Sequence, residues 1–349
     1  MFGIRLAKYQ NYQSFQRILK QLCLACLDCR RNIFLVILFV IIVPTFYLMT
    51  MSRFDQTSAD EPHICAKLID IIYNSNRTLC SVDADRRGKK QRIIALSVFG
   101  PKENPMFADS KFTGLITPFL DEAQSLFPTW TVRVYSDNAT IHRLNLGNLS
   151  RLSSNVDVCN VNQLPIIGNV GEYLSGKLWR FLPALDPMVD FTSSRDLDSP
   201  LSERERVVVE EFVQSSHIFL AMRDHPLHGI SILGGLWTAA QDRDRLLFLR
   251  IFSILLDRNR AQRYSLIKDQ YLLNEIVWPK VKDRTLSYDS YTCLNFRVGD
   301  YRPFPTQRPE SYCHLGCVRP CCLNSTKSSM PKPCPKQCRP KQHRDWKFC

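Results

Sequence analysis

Met188-Val189-Asp190-Phe191 leads into Ser194-Arg195-Asp196-Leu197-Asp198-Ser199, a short apolar run followed by two carboxylates two residues apart. The run reads as a buried strand that ends where the carboxylates begin. In an extended backbone, residues i and i+2 point the same way, so Asp196 and Asp198 are expected to converge on one cation. A hard divalent metal that also holds a diphosphate needs that arrangement.

Upstream, Arg92 to Gly100 is a continuous apolar run of the kind buried on both faces of a sheet. A helical pattern follows from about Phe112 to Leu126, ended by Pro128. Trp130 to Tyr135 alternates as a strand closed by Ser136-Asp137-Asn138, and Val156 to Val161 gives a third strand. This order predicts an α/β layer with a mostly parallel sheet, whose ligands sit beyond the carboxyl ends of the strands. A helical segment from Gly176 to Leu185 then runs into the Asp186-Pro187 turn before the strand that delivers the aspartates.

Downstream, Ser202 with Glu205 forms a capping-box pattern for a helix over Arg204 to Gln214. Ile218 to Met222 reads as a strand, and Arg223-Asp224-His225-Pro226-Leu227-His228 as a turn. Ile232 to Trp237 reads as another strand, whose Gly234 and Gly235 permit close backbone approach. Leu246 to Leu256 is an apolar helix, and Lys268 to Leu273 starts one that Pro279 ends.

The chain has 349 residues and a formal charge of +13, which invites a nucleic-acid reading until the charge is located. Residues 1–32 carry six basic side chains against Asp28, and the residues from His314 onward carry eight against Asp345. The body between them is nearly neutral, so no nucleic-acid partner is expected. Between the basic N-terminal segment and an acidic flank, Ile33 to Met51 offers nineteen uncharged, mostly apolar residues, enough for one membrane-spanning helix with the N-terminus cytoplasmic. The expected plan is a cytoplasmic tail (1–32), a signal anchor (33–51), a luminal stem (52–91), a catalytic domain (92–309) and a basic Cys-rich tail (310–349). The stem is expected to be pinned by Cys65 and Cys80.

Cys23, Cys26 and Cys29 precede the membrane segment and suit palmitoylation or remain plain thiols. The other eleven of the fourteen cysteines follow it, where disulfides form; an odd number leaves one thiol free or joined to another chain in a disulfide-linked dimer. In the tail, with its CxxxC spacings, zinc and disulfides are both open, and disulfides suit a lumen better. N-glycosylation motifs at Asn76, Asn138, Asn148 and Asn324 all fall on the luminal side.

Six motifs in order, Trp179 to Ala184, Ser194 to Ser199, Met222 to His228, Ile232 to Trp237, Asp269 to Leu272 and Pro303-Phe304-Pro305, carry a resemblance. The body resembles the DxD-type nucleotide-diphospho-sugar glycosyltransferases of the A-type fold, Rossmann-like with helices flanking the sheet. It is most similar to an uncharacterised glycosyltransferase-like subset with SRDxDS, MRDHPxH and ILGGxW motifs. The resemblance implies a type II Golgi or other secretory-pathway enzyme that moves a sugar from a UDP- or GDP-sugar donor to a glycan or glycoprotein acceptor.

Carried over, Asp196 and Asp198 would hold Mn²⁺ or Mg²⁺ as a Lewis acid on the diphosphate, with Arg180 and Arg195 adding positive potential. Asp224 and His225 would serve as catalytic groups, with His228 binding substrate; the alternative is that these side chains only hold the Pro226 turn. Gly234 and Gly235 would admit substrate and Trp237 would offer a flat face to a sugar, unless it is a core residue. Asp269 would be a catalytic or sugar-binding carboxylate beside Gln270, or simply favourable charge at a helix start. No GxGxxG, Walker, GxSxG or HExxH motif supports another enzyme class. The competing reading is an inactive transferase fold used for luminal binding or adhesion.

Overall fold

Among the described residues, eight strands form one sheet in the order β3-β2-β1-β4-β6-β5-β7-β8. They are β1 (Gln91–Ser97), β2 (Thr131–Ser136), β3 (Val156–Asn160), β4 (Val189–Ser194), β5 (Phe219–Arg223), β6 (Trp237–Ala240), β7 (Thr285–Asp289) and β8 (Asp300–Arg302). The computed structural model describes residues 61–100, 105–149, 153–267, 269–296, 298–308, 313–321 and 333–349. The expected tail and signal anchor over 1–51 lie outside these residues, and among the described residues no helix is long and apolar enough to cross a membrane.

All neighbouring strands run parallel except β6, which is antiparallel to both β4 and β5. A mixed α/β architecture with a mostly parallel sheet fits the A-type expectation; the reversed strand was not anticipated. β1 shows why the sheet is central. Ile94 and Leu96 join one core layer with Ile116 and Phe119 of the helix Pro105–Leu126, while Ile93 and Ala95 are fully buried on the opposite face. Alternate side chains point to opposite faces, so a strand that is apolar from Ile93 to Leu96 requires cover on both.

Several local expectations change. The helix expected over Gly176 to Leu185 is two short pieces, Gly176–Trp179 and a 3-10 turn Leu182–Leu185, because Pro183 cannot donate to a continuing α-helical ladder. Ile232 to Leu236 is turn, and the strand begins only at Trp237. Pro279 does not end the helix before it: the chain passes through Leu273–Val277 as a π-helical turn into Trp278–Val281, where Pro279 occupies the first turn and no N–H is missed.

Residues His63–Cys349 fold as one compact unit. The described part of the stem belongs to it, with Ile72, Leu79, Cys80 and Ala84 in the core. Cys80 is not paired with Cys65; it bonds Cys159 at the end of β3. A disulfide ties Cys293 of the domain to Cys338 of the tail, others join Cys317 to Cys321 and Cys334 to Cys349 within it, and Cys313 is also disulfide-bonded. Those thiols are therefore unavailable to zinc.

Candidate functional site

The reversed strand organises a cavity of about 880 Å³ at the carboxyl edge of β1 and β4, a size suited to a small organic ligand. Ser194 of β4 pairs with Trp237 of β6, so the turn entering β6 arrives beside the turn leaving β4. The Ser194 hydroxyl donates to the Gly234 carbonyl over 2.7 Å, and Arg195 N–H donates to Ala95 of β1 over 3.0 Å. Nine sequence-predicted residues line the cavity: Arg180, Arg195, Asp196, Asp198, His228, Gly234, Gly235, Asp269 and Gln270. Asp224, His225 and Trp237 are not among its lining residues.

Arg180 is the hub. One Nη donates to Asp196 Oδ1 and, over 3.1 Å, to the Arg195 carbonyl; the other donates to Asp269 Oδ2 over 2.9 Å. Its own backbone N–H is held by Ser97 at the end of β1 over 3.0 Å. Burial works against the guanidinium charge, but the Asp196 and Asp269 carboxylates outweigh it and hold the Arg180 pKa above its ordinary value. A Cβ on Gly234 would lie 2.6 Å from Asp269 Oδ2 and 2.7 Å from Arg180 Nη2, and one on Gly235 would collide with Asp196 Oδ2. The paired glycines thus admit the chain's own charged cluster to the backbone.

The strand β4 stops at Ser194, and Asp196 to Ser199 is a turn closed by Ser199 N–H donating to the Asp196 carbonyl over 3.2 Å. The alternation expected of an extended DxD therefore does not apply. Asp196 is half exposed at the cavity, its Oδ1 shared with Arg180. Among the described residues no three His, Cys, Asp or Glu side chains gather as a metal-holding group. The donor chemistry nevertheless fits a divalent cation bound through one or two carboxylates and completed by ligand phosphates and water, as Mg²⁺ commonly is. Asp196 and Asp198 would hold it.

Two predicted roles need correction. The Arg195 guanidinium does not face phosphates: it is buried beneath the turn, donating to the Gly235 and Pro200 carbonyls over 3.0 and 3.1 Å and pairing with Glu205 at 3.2 Å. Glu205 is the capping-box residue; Ser202 caps the helix Glu203–Gln214 as expected, but the Glu205 carboxylate turns to Arg195. Trp237 offers no face to a sugar, because it is fully buried and stacked between Phe219 and Phe252 at 5.4 and 5.9 Å.

Asp224 is likewise interior. Its carboxylate accepts from Arg204 over 3.1 and 3.0 Å, from Arg308 over 2.6 Å, from the Ser290 hydroxyl over 2.7 Å and from Leu315 N–H over 3.0 Å. Burial alone would raise its pKa, but Arg204 and Arg308 hold it far below the usual carboxylate range. With every lone-pair direction engaged, Asp224 organises the site from behind instead of taking a proton within it. Asp224 N–H donates to His228 Nδ1 over 3.0 Å, and Leu227 N–H to His225 Nδ1 over 3.1 Å. Burial pushes His225 down to about 4 and His228 to about 3, so both are neutral near pH 7.

Sequence reasoning missed Arg143, Lys177, Phe99 and Gly316, which also line the cavity. Arg143 packs so closely on Gly100 that a Cβ there would overlap its guanidinium. Arg143 ends the helix Asn138–Arg143 and Lys177 lies in the short helix Gly176–Trp179, and a single basic residue on a helix leaves no spacing signal. The tail contributes directly: besides Gly316, Arg319 N–H donates to the Asp198 carbonyl over 2.8 Å.

No family model matches the sequence, and no curated protein matches it significantly. Among solved structures, the crystal structure of S. aureus TarS 1-349 is similar at a TM-score of 0.30 and 13% identity, over 48% of this chain and 55% of that chain. The match thus spans little more than half of that chain's length, and a superposition so loose carries no conclusion about the cavity.

Proposed function

We propose that this chain is a glycosyltransferase that moves a sugar from a nucleoside-diphosphate donor to a hydroxyl acceptor. The observation that carries the reading is the cavity at the carboxyl edge of β1 and β4, where Arg143, Lys177 and Arg180 stand with Asp196, Asp198 and Asp269. Three cations with carboxylates at one mouth suit a diphosphate and a polyhydroxylated group held together. A Mn²⁺ or Mg²⁺ ion bound with the donor would offset charge on the leaving diphosphate.

The chain's own residues have separable tasks in this reading. Arg143 and Lys177 bind the diphosphate, Arg180 keeps Asp196 oriented, and Asp269 with Gln270 binds sugar hydroxyls. His228, protonated on Nε2 because Nδ1 accepts from Asp224 N–H, donates one hydrogen bond into the cavity. The apolar run over 33–51 and the disulfides support a type II protein of the secretory pathway with this domain in the lumen.

The test is titration of the full-length chain with UDP- and GDP-sugars with and without Mn²⁺, followed by turnover with a glycan acceptor. Asp196→Asn with Asp198→Asn is expected to abolish cation-dependent binding while lowering the melting temperature only modestly, because Arg180 keeps Asp269. No affinity of the native chain for any nucleotide sugar would refute the reading and favour a binding or adhesion role.

A further inference from the structure

Three imidazoles, His225, His228 and His314, meet behind the cavity with ring centroids 4.5 Å apart for His225 and His314 and 5.8 Å for His228 and His314. Their hydrogen bonds fix which nitrogen carries the proton. A backbone N–H only donates, so His225 and His228, which accept at Nδ1 from Leu227 and Asp224, carry their neutral-state proton on Nε2. His314 is the reverse: its Nδ1 lies 2.9 Å from the Leu315 carbonyl oxygen, which only accepts, so Nδ1 is protonated and Nε2 keeps its lone pair. The same ordering argues against a three-histidine metal site, since an imidazole ligating through Nε2 donates its Nδ1–H to a second partner. Two of these three accept there.

A second cavity of about 900 Å³ adjoins the first, lined by Pro118, Leu201, Gln307 and His314 among others, and Leu115 lines both. His228 and Gly316 line the first cavity, His314 and Leu315 the second. The segment carrying His314 therefore stands at their junction.

Resting on the transferase reading, we propose that the second cavity receives the hydroxyl-bearing acceptor and that His314 Nε2 is the general base for transfer. The acceptor O–H gives its proton to Nε2 as its oxygen forms the bond to the anomeric carbon. The bond from that carbon to the diphosphate oxygen breaks, and its electron pair leaves with the nucleoside diphosphate. The imidazolium then releases its proton to solvent. Asp224 favours that transient charge and Arg308 opposes it, and the His225 and His228 rings lie against His314. Burial keeps the His314 pKa below the usual histidine value, against the pull of the Leu315 carbonyl and Asp224, so the lone pair is present at neutral pH.

His314→Asn retains an amide N–H for the Leu315 carbonyl but no basic nitrogen, and His314→Gln is the second variant should the first fail to fold. The expected result is a fall in kcat of about 100-fold or more, nucleotide affinity within twofold of the native chain, and loss of the acidic limb of the kcat profile. Transfer within a few-fold of native, or a loss confined to nucleotide affinity, overturns the assignment. Nitrogen NMR of the ¹⁵N-histidine-labelled full-length chain checks the tautomers without catalysis, and a proton on His314 Nε2 at neutral pH also overturns it. If the native chain binds no nucleotide sugar, the transferase reading itself fails and the base role with it, an outcome distinct from a variant that binds and still transfers.

Discussion

Arg319 donates its backbone N–H to the carbonyl oxygen of Asp198 over 2.8 Å, so a residue of the Cys-rich tail braces the carboxylate turn of the cavity. The Cys317–Cys321 disulfide closes the loop that carries Arg319, and the Arg319 guanidinium pairs with Glu122. Cys317→Ser with Cys321→Ser should leave the far-ultraviolet circular dichroism unchanged. Affinity for a nucleotide sugar with Mn²⁺, read by calorimetry, should weaken roughly tenfold, the scale on which a misplaced supporting group acts.

Gly235→Ala separates a binding role for the glycine pair from a folding one. The added methyl meets the Asp196 carboxylate, which is half exposed but held by Arg180, and lies 3.1 Å from the Asp196 backbone nitrogen. The expected cost in denaturant unfolding is about 1 kcal/mol, with ligand affinity reduced far more than stability. Equal losses in both would show that the glycine serves packing alone.

Asp224→Asn should behave as a structural lesion. Arg204 and Arg308 would keep their buried charges and lose their carboxylate, an uncompensated arrangement costing about 3–5 kcal/mol. A fall in melting temperature of roughly 10 °C is expected for a domain of this size. A variant of native stability that lacks only turnover would restore Asp224 to the chemistry.

Acid should destabilise the fold through the imidazole cluster. His225 and His228 have folded-state values pushed down to about 4 and about 3, whereas unfolded histidine titrates near 6.5. Between those limits the unfolded chain binds more protons than the native one, so stability falls as pH drops from about 6.5 towards 3 to 4. The melting temperature should therefore decline from pH 7 to pH 4.5. His228→Gln, compared with the native chain across that range, should flatten part of the decline.

Strands β1, β2 and β4 were legible because burial on both faces demands unbroken apolar or alternating runs, and these leave a pattern in the residues themselves. β7 left none: Ser287 and Asp289 interrupt it, and the buried Asp289 carboxylate is paired with Arg223 of β5 at 2.7 Å. The reversed β6 was misplaced by several residues because Ile232 and Leu233 look strand-like, whereas the strand is set by pairing with β4. At the site, residue identity marked the cluster around Asp196, but charge pairing across the fold decided its use. Arg195 and Asp224 look like ligand-binding groups in one dimension and are neutralised by Glu205 and by Arg204 with Arg308 in three. His314 carries no spacing signal, because what sets it apart is an Nε2 lone pair where His225 and His228 carry a proton.

The placement of residues 313–321 against the cavity also sets an order of assembly. During synthesis the eight strands emerge before the segment that carries His314, Gly316 and Arg319. A nascent chain can therefore complete its sheet and still hold an unfinished pocket. The lining of that pocket is complete only once residues 313–321 have docked, so under the transferase reading donor binding would come after the sheet has formed.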